Sequence, residues 1–139
     1  TLQTGMPVTP VLSNNPANVS GTGPLRPNRL ADGNLPADQR SIQRWFDPSA
    51  FAVPVAFTFG DSGRHIIRAP GLKTLDASLN RNFRLGEVRR LEVRAEMYNL
   101  TNTAQFGRPI LQVNLPIAGT IASTLVPNRQ MQLGLRIVF

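Results

Sequence analysis

The end of the chain alternates between apolar and polar side chains, and this alternation limits the fold more than any other feature. Successive side chains point to opposite faces of a strand, so residues 129–139 would have one apolar and one polar or small face. The apolar side carries Met131, Leu133, Leu135, Ile137 and Phe139. A strand of this length spans about 37 Å, or about 26 Å when tilted by about 45°, which matches a membrane-spanning strand. The pattern predicts a strand between lipid and water.

Two further segments alternate in the same way. Residues 72–83 and 89–100 each have one apolar side, and the few residues between them form a short turn. This arrangement predicts an antiparallel hairpin. With a strand end at the start of the chain, the predicted strands lie near residues 1–7, 72–83, 89–100 and 129–139. Two long loops, 8–71 and 101–128, separate them and are expected on the extracellular side.

Composition argues against an ordinary soluble domain. The 139 residues include 12 prolines and 11 glycines but only 6% aromatic residues. Most of the prolines fall within residues 8–70, and a structureless stretch of that size is uncommon in a compact domain. About four strands also fall short of the roughly eight in the smallest outer-membrane barrels. The predicted fold is therefore all-β, as antiparallel strands from the C-terminal end of a transmembrane β-barrel, and a fragment rather than a closed barrel.

The charge of the chain raises an alternative function. A net charge of +7 and a pI near 11.6 are common in proteins that bind nucleic acid. The 14 arginines are dispersed, however, and Arg89 and Arg90 are the only adjacent pair. We therefore predict no nucleic-acid partner. The alternative hypothesis is a soluble basic β-domain that binds nucleic acid or an acidic polymer.

Nothing in the sequence indicates catalysis. The chain has no cysteine and only one histidine, His65, so a metal site is not expected. Asp76, Glu92 and Glu96 fall on predicted polar strand faces, and no nucleophile and base accompany them at a recognisable spacing. We predict no enzymatic activity, no catalytic or metal-binding residue and no cofactor.

One loop segment is a candidate for ligand contact. Trp45, Phe46 and Phe51 form an aromatic cluster in an otherwise polar and proline-rich stretch. On an extracellular surface such a cluster would offer a ligand both apolar area and an indole N–H donor. More often, aromatic clusters of this kind pin a long loop to itself or to the barrel rim. Both interpretations remain open on the sequence alone.

The final octet resembles the assembly signal of outer-membrane barrel proteins. That signal combines a polar residue, a glycine and two final apolar or aromatic positions. The matching residues here are Gln132, Gly134, Ile137 and Phe139. The resemblance implies recognition by the barrel assembly machinery, contact with outer-membrane lipid and location in the cell outer membrane.

Several other segments resemble one group of barrel proteins more narrowly. They are Trp45-Phe46-Asp47-Pro48-Ser49-Ala50-Phe51, Thr58-Phe59-Gly60, Arg68-Ala69-Pro70-Gly71, Leu75-Asp76-Ala77-Ser78-Leu79, Arg94-Ala95-Glu96-Met97-Tyr98-Asn99-Leu100-Thr101-Asn102 and Gln105-Phe106-Gly107. Together they resemble the C-terminal barrel end of TonB-dependent receptors of the Oar-like, carboxypeptidase-regulatory-domain type, over residues 1–139. The resemblance implies uptake of scarce nutrients such as siderophores or oligosaccharides, driven by the TonB complex through a plug region outside this sequence. A porin-like channel would share the final octet but not the loop segments.

Overall fold

Three long antiparallel strands form the largest sheet in this computed structural model, which describes residues 1–21 and 23–139. The chain divides into two compact units. We call them the sheet unit, made of Thr1–Gln3, Leu72–Gln105 and Thr124–Phe139, and the loop unit, made of Thr4–Gly71 and Phe106–Ser123.

The strands differ greatly in length. In chain order they are β1 Leu2–Gln3, β2 Pro7–Val8, β3 Asn28–Arg29, β4 Phe51–Ala52, β5 Ile67–Arg68, β6 Leu72–Lys73, β7 Ala77–Arg84, β8 Arg90–Tyr98 and β9 Gln130–Val138. Two short 3₁₀ helices lie at Ala37–Gln39 and Pro48–Ala50. The sheets pair β1 with β6, β2 with β5, β3 with β4, and β7, β8 and β9 in that order.

The long sheet has β8 at its centre and β7 and β9 at its edges, with every pairing antiparallel. A short turn joins β7 to β8, where the Leu85 N–H donates to the Arg89 carbonyl over 2.8 Å. Gly86 in this turn has φ +99°, a conformation that glycine adopts without a side-chain clash. The hairpin predicted from residues 72–100 is thus built around residues 77–98.

The sheet unit also contains the small β1–β6 ladder, in which Leu2 pairs with Lys73 and Gln3 with Leu72. The strand predicted near residues 1–7 is divided, because β1 belongs to the sheet unit and β2 to the loop unit. Between them, at Gly5, an added Cβ would lie only 1.8 Å from the Ala69 carbonyl oxygen. This close backbone approach requires glycine and replaces regular strand pairing there.

The loop unit has a hydrophobic core although its regular elements are only two or three residues long. The main cluster comprises Val8, Phe46, Ala50, Phe51, Ile67 and Ala69. A second cluster comprises Leu12, Ala17 and Leu25. Residues 8–71 are predicted from the sequence to form a long loop. The structure adds that this stretch packs around buried side chains distant in sequence.

The all-β prediction is confirmed over the described residues, which include no α-helix. Pairing is antiparallel in every sheet, and one isolated bridge, between Val11 and Gln112, is parallel. No sheet closes on itself, so the architecture fits part of a barrel. Across residues 1–21 and 23–139, no helix has the length and apolar character needed to cross a membrane.

Candidate membrane face, polar face and loop cluster

One face of the long sheet is almost entirely apolar. The register aligns its side chains in four rows: Ala77, Met97 and Met131; Leu79, Ala95 and Leu133; Arg81, Val93 and Leu135; and Phe83, Leu91 and Ile137. On the edge strand β9, Leu133 is 81% exposed and Leu135 is 75% exposed. A continuous apolar surface of this kind marks an interaction with another apolar phase.

Arg81 is the single charged residue in these rows. Its guanidinium carbon lies 5.6 Å from the centre of the Phe83 ring, two residues closer to the short turn. A long side chain can keep its methylenes on an apolar surface while its charged group reaches a more polar layer. The position of the guanidinium shows that Arg81 extends toward the turn end of the sheet.

The opposite face is polar and charged. Its rows are Ser78, Glu96 and Gln132; Asn80, Arg94 and Gly134; Asn82, Glu92 and Arg136; and Arg84, Arg90 and Val138. Glu92 lies 3.6 Å from the Arg90 Nε atom and 3.9 Å from an Arg136 terminal nitrogen on the neighbouring strand. These pairs are solvent-exposed, so each contributes at most about 1 kcal/mol.

A second charged group on this face is centred on Glu96. The Arg94 guanidinium donates to the Glu96 carboxylate, and the Tyr98 hydroxyl lies 3.5 Å from its other oxygen. Positive and negative groups therefore alternate along β8 on one side only. Such a face requires water or a polar partner, because charges without either are costly to bury.

The four residues of the predicted assembly signal are divided between the two faces. Gln132 and Gly134 are on the polar face, Ile137 is on the apolar face, and Phe139 follows β9 and is 86% exposed. An added Cβ at Gly134 would lie 3.9 Å from the Arg94 Cβ, which is an ordinary contact. Pairing with β8 therefore does not require this glycine. Its role in assembly stays a prediction.

The aromatic loop cluster is divided between core and surface. Phe46 is fully buried and Phe51 is 7% exposed, and their rings meet edge to face with centroids 6.3 Å apart. Trp45 is half-buried, donates its indole N–H to the Arg68 carbonyl over 2.7 Å, and lies under the Arg40 guanidinium at 5.6 Å. Phe46 and Phe51 thus fill the loop-unit core, and Trp45 retains the exposed area. Ligand contact by this cluster stays a prediction.

Two buried amides, for which the sequence predicts no individual role, connect the segments of the sheet unit. Asn99 is 2% exposed and donates to the carbonyls of Thr103 and Pro127 over 3.2 and 3.1 Å. Gln105 is 3% exposed; its amide exchanges hydrogen bonds with the backbone of Lys73, accepting over 2.7 Å and donating over 2.6 Å. In the sequence, Asn99 and Gln105 are marked only by their positions in two of the segments that resemble the receptor family.

Asn99 also has an unusual backbone conformation. Its φ is +51°, and its backbone N–H donates to the Asp76 carboxylate over 2.9 Å. Asparagine tolerates the left-handed region better than most residues. Asn99 therefore serves both the backbone reversal after β8 and the side-chain bonds to Thr103 and Pro127.

In the loop unit, two carboxylates stabilise local turns. Hydrogen bonding to Asn34 lowers the pKa of Asp32, and the Arg29 guanidinium acts in the same direction. The Ser49 hydroxyl, which donates over 2.7 Å, lowers the pKa of Asp47, assisted by Arg44 at 2.9 Å. The Ser49 N–H also donates to Asp47, which caps the 3₁₀ helix Pro48–Ala50. Asp32 thus holds a turn, and Asp47 caps a short helix.

His65 belongs to no candidate metal site among residues 1–21 and 23–139. It has φ +58°, and its backbone N–H donates to the Thr9 hydroxyl over 2.9 Å. Over the part of the chain that the structure describes, no group of three or more histidine, cysteine, aspartate or glutamate residues is placed to hold a metal ion.

Comparison with known proteins gives one family. The chain matches the family described as "Outer membrane beta barrel domain" over residues 1–132. No curated protein and no solved structure matches the chain. The match covers the whole loop unit, the long strands β7 and β8 and the start of β9. The chain therefore belongs to the outer membrane beta barrel domain family, and it is an outer-membrane protein.

Proposed function

We propose that these strands form part of the barrel of a TonB-dependent outer-membrane receptor, which imports a scarce nutrient such as a siderophore or an oligosaccharide. The observation that carries the proposal is the division of one sheet into an apolar face and an ion-paired face. In an outer-membrane barrel, the apolar side faces lipid and the polar side faces the lumen. The proposal assigns no chemical reaction to the chain.

The lumen face is consistent with a receptor because it carries charged side chains that are held in ion pairs. The Glu92–Arg136 pair crosses from β8 to β9, and the Arg94–Glu96 pair lies along β8. A plug region inside the barrel could form hydrogen bonds and ion pairs with both the arginines and the glutamates of this face. Membership of an outer-membrane family leaves the alternative of a soluble basic domain without support.

The family resemblance of the loop and strand segments supports the same proposal. It also implies the partners: the TonB complex, reached through a plug outside this sequence, and the barrel assembly machinery, which would recognise Gln132, Gly134, Ile137 and Phe139. Outer-membrane lipid would cover the apolar face. Trp45, with its exposed area and neighbouring Arg40, is the member of the aromatic cluster best placed to contact a nutrient.

The experiment compares active import with passive flow, using the gene's full reading frame. A deletion strain is grown under iron limitation and on single oligosaccharides beside its parent and a strain lacking the TonB complex. We expect deletion of the gene and of the complex to remove growth on the same nutrient. Purified full-length protein in planar bilayers should show no steady open-channel current, because a plug would close the lumen.

Two results would overturn the proposal. One is a steady conductance in planar bilayers together with solute entry that continues after the proton-motive force is collapsed, which is the behaviour of a porin-like channel. The other is normal growth of the deletion strain on the nutrient that requires the TonB complex, across all conditions in which the gene is expressed.

A further inference from the structure

The turn end of the long sheet carries an excess of positive charge. Residues 81–92 include four arginines, at positions 81, 84, 89 and 90, and two glutamates, Glu87 and Glu92. Glu92 already contacts Arg90 and Arg136. Among residues 1–21 and 23–139, no ion pair involves Arg81, Arg84 or Arg89.

Two of these arginines oppose each other directly. Arg84 is the register partner of Arg90 at the last pair of the β7–β8 ladder. Both belong to the polar face of the sheet, and like charges at directly opposed positions are destabilising. An open cavity of about 620 Å³ is present at this point. Its lining residues are Arg84, Gly86, Glu87, Val88, Arg89, Arg90 and Val138.

The other two arginines belong to the apolar side. Arg81 lies in the apolar rows and extends toward the turn over the Phe83 ring. Arg89 immediately precedes β8 and is bonded through its carbonyl to Leu85, so strand alternation places it on the side of Leu91. Positive groups therefore border the apolar surface at one end.

We propose that this end of the sheet binds the phosphate of an anionic glycerophospholipid, with its acyl chains on the apolar rows nearest the turn. Phe83, Leu91 and Ile137 form the row on which those chains would lie. Guanidinium groups bind phosphate oxygens through paired, charge-assisted hydrogen bonds. Arg81 and Arg89 are the arginines on this side of the sheet, whereas Arg84 and Arg90 lie on the polar face.

The position of the arginines next to the apolar Phe83 row favours a lipid over a soluble anion. An inorganic phosphate or a polyphosphate would satisfy the arginines but would leave the adjoining Phe83 row exposed, whereas a phospholipid supplies both the anion and the apolar chains. Short turns of outer-membrane barrels lie on the periplasmic side, where the inner leaflet is located. The inference depends on outer-membrane location and not on what the barrel transports.

The net charge also selects the type of headgroup. Between Arg81 and Arg89, the two arginines on the apolar side, Glu87 is the only carboxylate in the sequence. A headgroup that carries a phosphate and no ammonium group, as in phosphatidylglycerol, meets this excess better than a zwitterionic headgroup does. Each arginine near a membrane surface strengthens binding of anionic lipid severalfold.

The test measures lipid retention by the purified full-length protein. Detergent-extracted protein is mixed with equal amounts of phosphatidylglycerol and phosphatidylcholine of identical acyl chains, and retained lipids are counted by native mass spectrometry. We expect the wild-type protein to retain phosphatidylglycerol preferentially. The double substitution Arg81→Gln and Arg89→Gln should reduce that preference roughly tenfold.

Arg129→Gln is the matched control, since it removes one positive charge next to the opposite end of β9. It should leave the preference unchanged. The double substitution Arg81→Lys and Arg89→Lys should retain part of the preference for phosphatidylglycerol, because lysine keeps the charge but not the bidentate geometry. Heat-modifiable electrophoretic mobility identifies the variants that have assembled.

The proposal is overturned if wild-type protein retains the two lipids equally, a result that needs no variant. It is also overturned if Arg129→Gln lowers the preference as much as the double substitution does. Displacement of phosphatidylglycerol by added inorganic phosphate would show a simple anion site in place of a lipid site. Failure of the proposed nutrient uptake would affect none of these measurements.

Discussion

The two units of this chain use apolar side chains in opposite ways. In the loop unit, Phe46 and Ile67 are 0% and 1% exposed and pack within a conventional core. In the sheet unit, Leu133 and Leu135 remain 81% and 75% exposed on the edge strand. The loop unit buries its apolar side chains against one another, whereas the sheet unit needs an external apolar phase to cover its apolar side chains. One sequence thus contains segments suited to two solvents.

The comparison extends to the polar groups. In the loop unit, Asp32 and Asp47 hold local turns through hydrogen bonds of 3.1 and 2.7 Å to residues two positions away. The sheet unit instead places its charges in rows, where Glu92 contacts arginines on its own and the neighbouring strand. The loop unit therefore depends on internal packing, and the sheet unit depends on what lies against each face. Substitutions in each unit should therefore have different effects.

The largest expected effect is in the loop unit. Phe46→Ala removes a fully buried ring that meets Phe51 edge to face, and we expect it to destabilise that unit by about 3–5 kcal/mol. Limited proteolysis and hydrogen exchange of the full-length protein would show opening of the loop unit. Phe59→Ala is the control, because Phe59 is 64% exposed in the same unit. Equal effects of the two substitutions would contradict the assigned core.

The next effect is on the apolar face. Leu133→Arg would place a charge where lipid is expected and should cost about 2–4 kcal/mol of stability in vesicles. Gln132→Arg adds the same side chain at the adjacent position on the polar face and should have little effect. Urea unfolding of the full-length protein in lipid vesicles measures both. A larger loss for Gln132→Arg would reverse the assignment of the faces.

Asn99 provides a third test, within the sheet unit but independent of lipid. Asn99→Ala removes buried hydrogen bonds to Thr103 and Pro127 and leaves alanine at positive φ, so we expect a loss of about 2–3 kcal/mol. Asn99→Gly should recover roughly 1 kcal/mol, because glycine tolerates that conformation. The same unfolding measurement applies. If glycine proves worse than alanine, the backbone conformation is not a source of the loss.

The smallest effect concerns pH and the loop unit. Because the pKa of Asp47 is lowered from 3.8 in the folded state, its contribution is present above that value and lost as pH falls through the folded pKa. Asp47→Ala should cost about 0.5–2 kcal/mol at neutral pH, as the loss of a helix cap does. Hydrogen exchange around Ser49 should become less dependent on pH below 3.8 in this variant. An unchanged acid dependence would show that another group causes it.

The long strands were predictable because their signal is local. Alternation within residues 77–98 and 130–138 depends only on the geometry of an extended backbone, and the register then aligned the apolar sides of three strands. Membership of an outer-membrane barrel family agrees with the predicted transmembrane β-barrel, and the outer-membrane location agrees with what the resemblance of the final octet implied.

The loop unit was less predictable because its contacts join residues that are distant in sequence. Val8 and Ile67 are register partners in one short ladder, and no local pattern relates them. The same reason explains why Phe46 and Phe51 were grouped with Trp45 as candidate surface residues. Asn99 and Gln105 were missed as structural residues because an amide in a loop has no periodic signal that distinguishes a buried hub from a solvated side chain.

The central claim is that one face of β9 lies against lipid and the other against the lumen. The chain has no cysteine, so single cysteines at positions 131–137, with any others in the full-length protein removed, can carry spin labels. We predict that labels at 131, 133, 135 and 137 collide preferentially with dissolved oxygen, and that labels at 132, 134 and 136 collide with a water-soluble nickel chelate. Uniform accessibility along β9, or alternation of the opposite phase, would contradict the account.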